Sequence, residues 1–364
     1  MEKIPFNPSE IETTETYPSM FAGAPGSPKY NTPITPKENF KALLRRETPM
    51  WIPLGSDSVL MSPRIDPDNM ARVFAFEAVS MSPDEMTGGP DKFGIEWVYV
   101  PVAGGSMVKP GNPVLEDVND WEKVIKFPNV AAWDWETHRK NNAEYVSTGR
   151  FISITILTGF FERLISFMDF ENAALALIDE DQKDAIHALF DKLADTYNEM
   201  VDHYIDVFKM DQLWFHDDWG SQRAPFFSLN TAREMIVPHL KKVVDHCHSK
   251  GVFFDMHSCG KNELLVPAYI EAGCDSWTGQ TMNDKEMLYE MYGDKLIMGI
   301  ESDVAEKYPF GGPPCPPEEA EASAKRFIEK YGPNFATKPV IGGFGMDATF
   351  AKTLYVESRK LFSK

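Results

Sequence analysis

From residue 151 onward the chain repeats one cycle: a run of strand length that is apolar nearly throughout, then a stretch with the period of an amphipathic helix. The runs are "FISITIL" (151–157), "QLWFH" (212–216), "VFFDM" (252–256), "CDSW" (274–277), "LIMGI" (296–300) and "PVIGGF" (339–344). Helical patterns lie at 182–208, 229–250, 262–272, 284–292, 317–331 and 349–362. A strand without polar alternation is buried on both faces, the situation of a parallel sheet covered by its own crossover helices. With "WIPLG" (51–55) and "IEWVYVPV" (95–102) the six units become eight. This predicts an α/β chain of the (β/α)8 TIM-barrel class, for which 364 residues leave room for additions. A doubly wound open sheet is the alternative, but no G-x-G-x-x-G turn follows an early strand.

The additions fall in two places. Residues 1–37 are rich in Pro, Ser and Thr without a period and read as an N-terminal arm ahead of a single barrel domain over 38–364. Around 60–150 the pattern breaks into "MTGGPDKFG", "VAGGSMVKPGNP" and "DWEKVIKFPNVAAWDWE", which read as loops inserted early in the barrel, where they shape a substrate pocket. The formal charge of −19 disfavours nucleic acid and anionic membranes as partners. No export signal and no apolar run of membrane length is expected. Four cysteines, Cys247, Cys259, Cys274 and Cys315, argue for a reducing cytoplasm rather than a disulfide scaffold.

In such a barrel chemistry collects where strands end. The strand ends offer His216, Asp217 and Asp218; His257, Ser258 and Cys259; Gln280; Glu301 and Asp303; Met346 and Asp347. One polar residue there is ordinarily a loop cap. Five successive ends that carry ligand-type or acid–base side chains point to a site. "MHSCG" is the sharpest, because residues i and i+2 of a strand share a face, so His257 and Cys259 aim an imidazole and a thiol at one point. A catalytic zinc wants a third protein ligand, for which Glu301 is the chief candidate, with Asp347, Cys315 and His216 as alternatives. His246 and His248 sit in the last turn of a helical pattern and suit its C-terminus instead. Cys247 and Cys274 read as core.

The stretches "FFERLISFMDFENAALALIDE", "LWFHDDWGSQRAPFFSLNTAREMIVPHLKKVVDHCHSKGVFFDMHSCGKNELLVPAYIEAGCDSW" and "YGDKLIMGIESD" resemble the uroporphyrinogen decarboxylase superfamily, and within it the corrinoid-linked methyltransferase branch. The likeness spans roughly 45–362. It implies a (β/α)8 barrel, zinc, a separate corrinoid protein as partner and, for members of the demethylating type, a small methylated substrate such as a methoxylated aromatic. The decarboxylase grips its substrate's carboxylates with an arginine-rich segment after the first strand; here "IPLGSDSVLMSPRIDPDN" holds Arg64 alone. The coenzyme M branch adds a last-strand cysteine to His-x-Cys, and "IGGFGMD" has none.

The expected activity is therefore transfer of a methyl group from an ether to Co(I). His216, Asp217 or Asp218 would serve as the acid, the paired aspartates raising one another's pKa. Trp214, Trp219 and Phe226, with Phe215 and Phe227, would form an aromatic slot, and Gln222 and Gln280 would hydrogen-bond the ring's substituents. The alternatives are a metal-independent decarboxylase acting on a polycarboxylate and a binding barrel without catalysis. A homodimer is compatible with all three.

Overall fold

The computed structural model describes residues 3–18, 26–102, 105–309, 312–342 and 347–363. Seven parallel strands form one curled sheet: β1 (Ser58–Met61), β2 (Phe151–Ile156), β3 (Gln212–His216), β4 (Phe253–Ser258), β5 (Ser276–Gly279), β6 (Ile297–Ile300) and β7 (Val340–Gly342), adjacent in chain order. The sheet closes where Leu54 bridges Gly342 in parallel and the Gly342 amide donates to the Pro53 carbonyl at 2.9 Å. Helices cover the outside, and the architecture is the α/β barrel that the alternating pattern predicts. The strands are buried on both faces: every residue of β1, β2, β3 and β6 is buried.

Two of the expected strands are placed differently. "WIPLG" supplies the closing bridge, but the paired run is β1, because Asp57 turns the chain between them: its Oδ2 accepts from the Leu54 amide and from Trp51 Nε1, both at 3.0 Å. The stretch 95–102 is not in the barrel. Glu96–Val100 is the middle strand of an antiparallel sheet with Gly88–Pro90 and Gly105–Val108, and only Trp97 of its five residues is buried. An apolar, β-branched segment between glycine turns satisfies its hydrogen bonds in local hairpins as well as in a barrel.

The inserted sheet is fastened to the barrel by buried charge. Arg163, on the helix Phe160–Met168 after β2, pairs with Asp68 and Asp91, while Lys92 Nζ lies 2.9 Å from Asp66 and 3.1 Å from Asp68. The expected helix at 229–250 runs through a π-helical turn, Ala232–Ile236, ahead of Val237–Ser249. Pro238 has no amide proton to give to an i−4 carbonyl, so the ladder shifts register just before it.

The described residues at the start of the chain dock on the barrel's last helix. Glu10 is buried against the last helix, Ala348–Phe362, with Arg359 Nε at 2.8 Å and the Tyr355 hydroxyl at 2.6 Å. Burial alone would raise the Glu10 carboxyl, but the bonds from Arg359 and Tyr355 overcome it and leave it below its ordinary 4.5. A folded-state pKa lowered in this way contributes stability above 4.5 that fades as pH falls through the folded value. Glu10→Gln, which leaves Arg359 buried without a counter-charge, is expected to cost about 3 kcal/mol in urea unfolding at neutral pH. The gap to wild type should narrow below pH 4.5; an unchanged gap on acidification would contradict the ion-pair account.

Candidate functional site

At the C-terminal ends of β3 and β4, His216 stands directly opposite His257 in the strand register, and Cys259 follows one step past β4. The ligand atoms of His216, His257 and Cys259 all lie within 4.8 Å of one another. His257 Nδ1 is 2.6 Å from the Thr278 carbonyl. A carbonyl only accepts, so Nδ1 carries the proton and Nε2 presents a bare lone pair. Burial holds this imidazole neutral, its pKa pushed down to about 3. Cys259 Sγ lies 3.6 Å from His257 Nε2 and 3.8 Å from His216 Nε2. Ligand distances of about 2.0 and 2.3 Å at a tetrahedral angle place nitrogen and sulfur ~3.5 Å apart, close to the separations here, so the set fits zinc.

The acids around this cluster differ in what they do. Asp218 Oδ1 is 2.7 Å from His216 Nε2 and accepts from the Cys259 amide at 2.7 Å. Burial would raise its carboxyl, but His216 and Arg72 carry it well below the usual range. The same pairing lifts His216 well above the ordinary histidine value despite its burial, so a proton and a metal ion compete for Nε2. Asp217 faces away from the cluster. Its carboxylate accepts from the Phe161 and Glu162 amides at 3.0 and 2.9 Å and from Trp219 Nε1 at 2.8 Å, which makes it the cap of the helix Phe160–Met168. Its pKa of about 6 comes chiefly from burial, with the neighbouring Asp218 a minor contributor, so mutual repulsion of the pair is not the main device.

Below the cluster, inside the barrel, lies a cavity of about 480 Å³. Trp214, Gln222, Gln280 and Glu301 line it, as do Asp255 and His257. The other four aromatic residues expected at its wall, Trp219, Phe226, Phe215 and Phe227, do not. Trp219 is fully buried between Tyr269 and Phe227, and the half-buried Phe226 packs on Phe161 and Phe170 at the edge of the core. Glu301 stands apart from the His–Cys cluster, since both its oxygens are held by Lys285 Nζ, at 2.6 and 2.7 Å. Asp347 caps the last helix through the Thr349 amide, and Cys315 is buried beside Pro316; neither belongs to the cluster. Met346 falls outside the described residues.

Two residues of the site escape a survey of strand ends. Glu162 Oε2 is buried without a hydrogen-bond partner, 3.9 Å from His216 Nε2, while Oε1 accepts from Arg72 at 2.7 Å. Glu162, His216 and Asp218 form a second group within 4.8 Å. Burial pushes the Glu162 carboxyl up to about 7. Arg72, stacked on the Trp97 ring at 4.8 Å, comes from the insert. The one signal in the sequence is "TGFFERL": a charged pair in the first helical turn after an apolar strand.

The sequence profile of the family described as uroporphyrinogen decarboxylase (URO-D) matches residues 68–333, well over half the chain. The chain belongs to the uroporphyrinogen decarboxylase family. No curated protein matches it. Among solved structures, a methyltransferase from Methanosarcina mazei is similar over 91% of this chain and 100% of its own, with TM-score 0.54 and 15% identity, a likeness of fold. A sugar phosphate isomerase/epimerase from Parabacteroides distasonis is similar over 66% of this chain and 80% of its own, at TM-score 0.31 and 10% identity, too low to carry an argument.

For a member of the uroporphyrinogen decarboxylase family, the cavity holds little to grip an acid. Arg64 is spent on Glu77 and Glu85, and no arginine or lysine is among the described residues that line the wall. The donor set makes the metal content the first thing to measure. His216→Ala, His257→Ala and Cys259→Ser are each expected to lower zinc per chain at least about tenfold, and Glu301→Gln to leave it unchanged. Asp217→Ala strands three buried N–H donors and should instead cost about 3 kcal/mol of stability. Zinc retained by all three ligand variants would remove the metal site.

Proposed function

We propose that this chain is a methyltransferase of the demethylating type. It takes a methyl group from a small methyl ether, a methoxylated aromatic, and delivers it to the Co(I) corrinoid of a separate protein. The observation that carries the reading is the convergence of His216 Nε2, His257 Nε2 and Cys259 Sγ at the mouth of a cavity that has no arginine or lysine among the described residues of its wall. That a methyltransferase from Methanosarcina mazei uses the same fold accords with it.

The leaving oxygen is the difficulty, because an alkoxide or phenoxide departs poorly unless its charge is met. Zinc, when held by His216, His257 and Cys259, would act as a Lewis acid toward that oxygen. The rest falls to side chains. Thr278 fixes the His257 ring through Nδ1, so that Nε2 faces the cluster. Asp218 holds the Cys259 amide and thus the sulfur's position. Glu162, whose carboxyl burial pushes up to about 7, can carry a proton on its buried Oε2 beside the cluster and give it up as the leaving oxygen takes the electron pair of the broken bond. Trp214 offers a flat wall for a ring, and Gln222 and Gln280 are neutral hydrogen-bonding groups at the cavity's mouth. Decarboxylation of a polycarboxylate, the other reading open to this family, calls for cationic groups to hold the acids, and no arginine or lysine is among the described residues that line the cavity.

The test mixes purified protein with a Co(I) corrinoid protein and a panel of methoxyarenes. Methyl-Co(III) absorbance should appear with at least one donor, fall at least about tenfold in Glu162→Gln and vanish on chelation. No methyl-Co(III) with any donor, or CO2 release from a polycarboxylate that survives chelation, would overturn the reading.

A further inference from the structure

The rim of the cavity on the side away from His216 carries a carboxylate that the chemistry above does not use. Gly279 stands opposite Ser258 in the register of β5 and β4, so the next step sets Gln280 beside Cys259. Trp277 stands opposite Met298 on β6, and the same register three residues on sets Glu301 beside Gln280. Glu301 therefore lies two strand spacings, about 10 Å, along the rim from Cys259. Gln280 and Glu301 both line the cavity.

Each is pinned by the protein on one side and open on the other. The Gly260 amide donates to Gln280 Oε1 at 2.8 Å. An amide N–H needs an acceptor, so this bond decides which end of the side-chain amide is oxygen and turns Nε2 the other way. Nε2 has no partner among the described residues, and it is not one of their enclosed polar atoms. Lys285, on the helix Lys285–Tyr292, gives its Nζ to both oxygens of Glu301 and to the Gly299 carbonyl at 3.0 Å. A carboxylate accepts about four hydrogen bonds, of which Lys285 uses two, and the Glu301 side chain is 28% exposed against 7% for Lys285. The lysine thus holds the carboxylate from behind, and the carboxylate alone of the pair faces the cavity.

A pinned donor beside a pinned acceptor is selective. A hydroxyl accepts from Nε2 and donates to the carboxylate. An ammonium cannot accept, and an ether or ketone oxygen cannot donate. A carboxylate meets the charge of Glu301, with no arginine or lysine among the described lining residues to offset it. We propose that Gln280 and Glu301 form a specificity subsite that takes a hydroxyl on the substrate's ring and turns away a ring carboxylate. The inference rests on the methyl-ether reading for the identity of the reacting group and narrows the substrate to a methoxyphenol rather than a methoxybenzoate.

Anisole, the three methoxyphenols and the three methoxybenzoates can be compared by calorimetry on the zinc-loaded protein. Wild type should bind at least one methoxyphenol at least about tenfold more tightly than anisole, and every methoxybenzoate more weakly than anisole. Glu301→Gln keeps the shape and removes the charge; Gln280→Glu keeps the acceptor for Gly260 and replaces the donor. Both should cut the methoxyphenol advantage to about threefold or less with zinc content unchanged, and Glu301→Gln should strengthen methoxybenzoate binding at least about threefold. Equal binding of anisole and all methoxyphenols by wild type, tighter binding of a methoxybenzoate than of any methoxyphenol, no binding of any compound, or the wild-type pattern retained in either variant would overturn the subsite. Selectivity present in wild type and lost in the variants, without any methyl transfer to Co(I), would uphold the subsite and bring down the methyltransferase reading instead.

Discussion

The carboxylate of Asp217 ties the second and third barrel strands together at their C-terminal ends, and the site's geometry follows from it. It accepts from two amides in the first turn of the helix Phe160–Met168 and from the Trp219 indole. The approach is so close that a Cβ at Gly159 would lie 2.4 Å from the Asp217 Cβ, which is why glycine stands there. Because side chains alternate, turning Asp217 toward the helix sends His216 and Asp218 to the barrel mouth. The same contact delivers Glu162 to His216, and the register with β4 sets His257 opposite. One buried cap thus brings together two imidazoles, a thiol and a buried carboxyl from three segments far apart in sequence.

The helix that Asp217 caps also anchors the insert. Glu162 and Arg163 are adjacent, yet one faces the cluster and the other enters the buried network with Asp68, Asp91, Lys92 and Asp66. Replacing such a network by apolar packing would often be neutral or stabilising, but breaking one member strands the others. Its value here is positional: it holds the segment that brings Arg72 to Glu162. The barrel interior follows the same logic, with Ser153, Gln212, Asp255 and Ser276 bonded in a row where an aliphatic layer is usual.

Much of this is legible from the residues alone. The helix Lys183–Phe208 lies one residue inside the span read from its period, and Pro317–Tyr331 coincides with it, because a long amphipathic repeat leaves little freedom. The strand-end rule finds His216, Asp218, His257, Cys259 and Gln280, since a parallel barrel must present those positions at one mouth. It fails for Glu162 and Arg72, which reach the site from a helix and an insert. It also cannot distinguish Glu301 as a ligand from Glu301 as the partner of Lys285, because that pair is made by the packing of a neighbouring helix. For 95–102 composition misleads: apolar, β-branched residues satisfy a hairpin as readily as a barrel, and the glycine turns on either side decide between them.

The central claim is that two imidazoles and one thiolate from adjacent strand ends hold a zinc ion at the cavity mouth. X-ray absorption on the zinc-loaded protein tests it directly. The account predicts one sulfur at about 2.3 Å and two imidazole nitrogens at about 2.0 Å, with the sulfur lost in Cys259→Ser and one imidazole lost in His216→Ala. A first shell without sulfur, or one whose imidazole count is the same in His216→Ala as in wild type, would contradict it.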